Sequence, residues 1–136
     1  MGRVFFNTRK NIVALDTTYQ VLDSDSGTVF MLSSTGGAYT ITLPASPEDG
    51  FYCKFVVKEN TPTGDITITA GSAILDFVMT DMAGNISNST AGTAKTTIVC
   101  HTECTKGDYV NIFSDGSTYY GEAVSAIDDA IDHTAQ

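Results

Sequence analysis

Tyr109-Val110-Asn111-Ile112-Phe113-Ser114-Asp115-Gly116-Ser117-Thr118-Tyr119-Tyr120-Gly121-Glu122-Ala123-Val124 is the stretch that decides the fold. Asp115-Gly116 lies between two runs rich in strand formers, and Asp-Gly in that setting is a strong signal for a tight hairpin. The same grammar recurs upstream. Tyr39-Thr40-Ile41-Thr42-Leu43 alternates, with Tyr39, Ile41 and Leu43 on one face, and Pro44 stops it. Asp65-Ile66-Thr67-Ile68-Thr69-Ala70 alternates again, with Thr turned outward. Further strands are predicted at Ile12–Leu15, Thr18–Leu22, Thr28–Leu32, Phe51–Lys58 and Thr96–Cys100. Between them lie turn clusters, among them Asp23-Ser24-Asp25-Ser26-Gly27 and Ser33-Ser34-Thr35-Gly36-Gly37. Strands at short, even spacing predict an all-β, antiparallel β-sandwich of jelly-roll type. No strand–helix alternation is present, which argues against an α/β sheet.

Three segments follow from this reading. Residues 1–11 form an N-terminal arm, 12–124 the sandwich, and 125–136 a C-terminal tail. In the tail, Ala126, Ile127, Ala130 and Ile131 recur at helical spacing, and Ser125 with Asp128 resembles a capping box. A short C-terminal helix is therefore predicted. Residues 79–93 are rich in loop formers and read as a long excursion from the sheet.

The chain has 136 residues, the size of one domain. A chain of that length buries roughly 65–70 % of its unfolded surface, enough for one core. Seven basic residues stand against sixteen acids, for a net charge of −9. A surface of that sign repels phosphate backbones, so no nucleic-acid partner is expected. Polar Asn7-Thr8-Arg9-Lys10 follows Phe5-Phe6 at once, too early for a signal peptide, and no apolar run has the length of a membrane span. No membrane partner is expected.

The candidate chemistry is sparse. Cys53, Cys100 and Cys104 are an odd set for a disulfide framework, and Cys53 keeps phase with Phe51, Phe55 and Val57 as a small buried hydrophobe. Cys100 and Cys104 flank His101 but lack a fourth ligand, so no metal is expected. The acids of the 23–27 cluster lack the later bidentate Glu of a calcium loop and read as turn formers. No nucleophile elbow and no phosphate-binding loop occur, so neither an enzyme nor a cofactor is expected. The six tyrosines read chiefly as core and cross-strand packing. The first eleven residues hold Arg3, Arg9 and Lys10 together with Phe5 and Phe6, a basic and aromatic arm before an acidic body. Arg and aromatic side chains are common interface anchors, so this arm is the candidate docking segment.

Asp25-Ser26-Gly27-Thr28-Val29-Phe30-Met31-Leu32, Tyr39-Thr40-Ile41-Thr42-Leu43-Pro44 and Gly50-Phe51-Tyr52-Cys53-Lys54-Phe55-Val56-Val57 occur in that order. Lys95-Thr96-Thr97-Ile98-Val99-Cys100 and the run Gly107–Tyr120 follow. This order resembles small virion proteins of tailed phages, many from marine and cyanobacterial hosts, including capsid decoration (cement) proteins. The resemblance spans roughly residues 18–121, with Tyr119 where the pattern has Trp. It implies a β-sandwich on the outer capsid surface, bound to the major capsid protein, and a homotrimer. The implied role is to hold the shell against internal DNA pressure. The alternative is a tail-fibre or baseplate module that recognises host surface glycans. A chain that starts at Met1 and is short for a fibre favours the shell.

Overall fold

The computed structural model describes residues 10–70, 74–81, 86–88 and 95–134. The first half of the chain alternates between two sheets. Strands β1 (Asn11–Leu15), β3 (Thr28–Leu32) and β5 (Asp49–Val57) lie side by side in one sheet. Strands β2 (Tyr19–Gln20), β4 (Tyr39–Thr42) and β6 (Ile66–Thr69) lie side by side in the other. All four of these neighbouring pairs are parallel. The backbone is thus wound as a flattened coil, each turn giving one strand to each sheet.

The second half caps the coil by reversing direction. Strand β7 (Ile74–Asp81) is followed by β8 (Ile86–Asn88), β9 (Thr97–Cys100), β10 (Tyr109–Asp115), β11 (Thr118–Ser125) and β12 (Ile131–Thr134). Strand β9 adds antiparallel to β6, and β10 adds antiparallel to β5. Among the described residues the result is a seven-stranded sheet, β1-β3-β5-β10-β11-β7-β8, and a five-stranded sheet, β12-β9-β6-β4-β2.

The expected all-β sandwich is what the chain forms, but its sheets are mixed, which corrects the antiparallel jelly roll. Short turn spacing says that the chain turns; it does not say whether the turn stays in one sheet or steps to the other. Parallel neighbours need a crossover. Here each crossover is a strand of the opposite sheet, so no helix is required. The β10–β11 hairpin forms where Asp115-Gly116 predicted it, with Gly116 at φ +92.

The tail is a second correction. Residues 126–130 form a turn, and β12 pairs antiparallel with β9. The Ser125 hydroxyl donates to the Ile127 carbonyl at 2.9 Å instead of capping a helix. Asp129 turns the chain at φ 56, and Ala130 and Ile131 enter the core. A free strand edge on β9 satisfies this backbone better than one short helix, which is marginal alone. The excursion read at 79–93 is also partly strand. Strand β7 continues to Asp81, parallel to β11, and β8 pairs antiparallel with β7.

The core fills the space between the sheets. Phe30 and Phe55, fully buried, stack with centroids 5.2 Å apart, and Tyr119 meets Phe51 edge-on at 6.1 Å. Leu32, Ile41, Leu43, Ile66, Ile68, Ile98, Val110 and Ile112 complete it. The buried Tyr119 hydroxyl donates to the Pro44 carbonyl at 2.6 Å, tying the hairpin to the turn after β4. Successive turns of the coil touch at Gly64. A Cβ there would lie 2.2 Å from the Ala38 nitrogen, so only glycine allows the approach. Buried Ser34 locks the same place: its hydroxyl donates to the Gly37 carbonyl and accepts from the Gly64 N–H.

Candidate protein-binding face

Strand alternation sends half of each strand's side chains away from the core. On the five-stranded sheet those side chains include Thr40, Thr42, Thr67 and Thr69, a polar surface. The seven-stranded sheet is different. Its outward residues are Val29 and Met31 on β3, Tyr52, Lys54 and Val56 on β5, Tyr109, Asn111 and Phe113 on β10, and Tyr120, Glu122 and Val124 on β11. Ile12 of β1 extends the patch and is 63 % exposed. Phe113, on its central strand, is 53 % exposed.

Register sorts these side chains into rows. Tyr52, Phe113 and Tyr120 are aligned across three strands, then Lys54, Asn111 and Glu122, then Val56, Tyr109 and Val124. The rows are held from within. Phe113 stacks on Tyr120 at 5.4 Å, and the Lys54 ammonium lies 4.2 Å from the centre of the Tyr109 ring. The Asn111 amide donates to the Glu122 carboxylate at 2.9 Å. These contacts fix side chains before any partner arrives, which lowers the entropy lost on binding. The face thus sets an aromatic row and a valine–tyrosine row on either side of a charged and amide row.

Asp115 closes the hairpin end of the face. Its carboxylate accepts the backbone N–H groups of Thr118 and Ser117 and the Ser117 hydroxyl, and these bonds bring its pKa down to about 2. At the opposite end of the hairpin, buried Asp108 accepts the N–H groups of Thr105 and Ala126. Buried Asp108 holds one end of the platform, while exposed Asp115 places its charge at the other, where it also accepts the Tyr120 hydroxyl at 3.2 Å.

Of the docking residues expected from sequence, Arg3, Phe5, Phe6 and Arg9 lie outside the described residues. Lys10 is described and exposed, and its ammonium sits 5.6 Å from the centre of the Tyr52 ring. Lys10 therefore lies beside the aromatic row. Sequence reasoning treated the tyrosines as packing residues and missed the face they build. The signal was Phe51-Tyr52-Cys53-Lys54-Phe55-Val56-Val57, which is apolar on both strand parities and not on one. A strand apolar on both parities has two surfaces to cover.

The cysteines are elsewhere. Cys53, Cys100 and Cys104 are buried free thiols. Burial pushes the Cys53 thiol up, and a hydrogen bond with Cys104, followed by burial, pushes Cys100 up. The Cys104 thiol donates to the Ala130 carbonyl at 3.0 Å, and His101 turns away to Asp65 at 3.2 Å. Among the described residues, no group of three His, Cys, Asp or Glu side chains comes together in a metal-holding cluster. None of the described helices is long and apolar enough to cross a membrane. No protein-family model and no curated protein matches the chain.

Proposed function

We propose that this chain is a non-enzymatic decoration protein of a tailed-phage head, working on the outer shell surface as one member of a symmetric protein assembly. The observation that carries this reading is the aromatic and aliphatic outer face of the seven-stranded sheet, a surface suited to another protein and not to solvent. The order of motifs from Asp25 to Tyr120 supports the placement on a virion. A shell loaded by packaged DNA gains from clamps that each contribute little and act together through multivalency. In this reading the major capsid protein is the partner, and Arg3, Phe5, Phe6, Arg9 and Lys10 anchor the chain to it.

The test mixes purified protein with capsids stripped of it. Saturable binding, with heat-induced DNA release moved to higher temperature, is the expected result. Deleting residues 1–11 is expected to abolish the binding. Absence of any binding to capsids would sink the proposal.

One observation favours a second reading, a tail-fibre or baseplate module for host glycans. Tyr52, Phe113 and Tyr120 form a line of rings beside the hydrogen-bonding side chains of Asn111 and Glu122. Rings in line stack on sugar faces, and an adjacent amide and carboxylate bind hydroxyls. Retention on host-surface glycans that Phe113→Ala removes would replace the shell reading with this one.

A further inference from the structure

We infer that copies of this chain join one another through the outer face of the seven-stranded sheet, related by rotation about an axis parallel to β10, so that β5 of one copy meets β11 of the next. The inference rests on the pattern of that face, which the shell reading also draws on, and gives the assembly its contact surface.

Strand β10 is the centre line of the pattern. At each level along it, the side chains on its left and right are chemically matched. Tyr52 and Tyr120 flank Phe113, Lys54 and Glu122 flank Asn111, and Val56 and Val124 flank Tyr109. Rotation about an axis parallel to the strands keeps the level and exchanges left for right. It therefore brings ring to ring, ammonium to carboxylate and valine to valine. An axis running across the strands would instead set Lys54 on Lys54 and Glu122 on Glu122, with the aromatic row on the valine row. One orientation satisfies every row and the other violates the charged one. A pair closes about a two-fold axis of the favoured kind, with Phe113, an exposed ring of the central strand, turned toward it.

Charge complementarity favours the same orientation. Two bodies of net charge −9 repel each other over most of their surfaces. Here the rotation sets each Lys54 against a Glu122 of the other copy, so the charged row at the centre of this face attracts, while Asp49 and Asp115 stay at its hairpin end. Its size is sufficient. Five strands at a spacing of about 4.8 Å and about 20 Å long cover roughly 500 Å² per copy, or about 1,000 Å² between two, the lower bound for a specific interface.

The experiment is sedimentation velocity on the full chain across a concentration series. The wild type is expected to run as a dimer. Phe113→Glu is expected to run as a monomer with unchanged circular dichroism. Lys54→Glu alone and Glu122→Lys alone are expected to weaken association at least tenfold, and the double exchange Lys54→Glu with Glu122→Lys to restore it. Within one copy Lys54 and Glu122 sit two strands apart with Asn111 between them, so recovery in the double variant reads a contact between copies. A wild type that stays monomeric at its solubility limit would overturn the inference. So would association that ignores both charge reversals. Capsid binding is read on stripped capsids and is assigned to residues 1–11, so its failure and the failure of self-association are distinguished.

Discussion

Single residues carry more of this fold than their chemistry suggests. Tyr119 stands where the resembled pattern has Trp, and it fills a core position while its hydroxyl reaches the Pro44 carbonyl. Tyr119→Phe keeps the ring and removes the bond, leaving that buried carbonyl without its donor. The expected cost is about 1–2 kcal/mol, read as a lower urea midpoint at unchanged slope. Asp115 acts through its charge. Its folded pKa of about 2 lies below its ordinary 3.8, so its contribution is present above the ordinary value and fades as pH falls toward about 2. Asp115→Ala is expected to unfold more easily than the wild type at neutral pH, with the difference closing as acid is added. A difference that persists at the acid end would mean that the hairpin turn is not held by the carboxylate.

At the level of elements, the sequence disclosed which residues make strands and hid where those strands go. Tyr39-Thr40-Ile41-Thr42 and Ile66-Thr67-Ile68-Thr69 alternate clearly, and both form strands with the isoleucines inside. That they are parallel neighbours is a tertiary fact, because a turn of Gly, Pro and Asp residues serves a hairpin and a step between sheets equally. The tail failed for a related reason. Ala126, Ile127, Ala130 and Ile131 keep helical spacing, but only the last two are buried, and the vacant edge of β9 decided the outcome. The binding face was legible in part, through the two-sided strand β5, while the row pairing needed the register. Two substitutions test these elements. Gly64→Ala forces a Cβ into the Ala38 backbone and is expected to cost about 3 kcal/mol, measured by denaturant unfolding. Ile131→Ala is expected to cost about 2–4 kcal/mol, because the tail is a working strand; a cost below about 0.5 kcal/mol would mark it as a loose end.

Over the described residues, most contacts join residues distant in sequence. Gln20 reaches the Thr42 carbonyl across 22 residues, and Tyr119 reaches Pro44 across 75. Chains of this kind close large loops before they gain from them, so folding is expected on the millisecond-to-second scale in stopped-flow refolding, slow for a domain of this size. Because every turn of the coil contributes to both sheets, neither sheet can come apart alone. Fluorescence and circular dichroism are expected to report one coincident transition.

The coil also sets the unit by which such a chain can be lengthened. In a hairpin-built sandwich, one inserted strand reverses the direction of everything after it. Here an added segment that makes one full circuit would lay one more strand on each sheet and return the chain with its direction and inside-out phase unchanged. Height along this molecule is therefore a modular quantity, set by the number of circuits, while the reversing half from β9 onward serves as a lid whose form does not depend on how many lie beneath it.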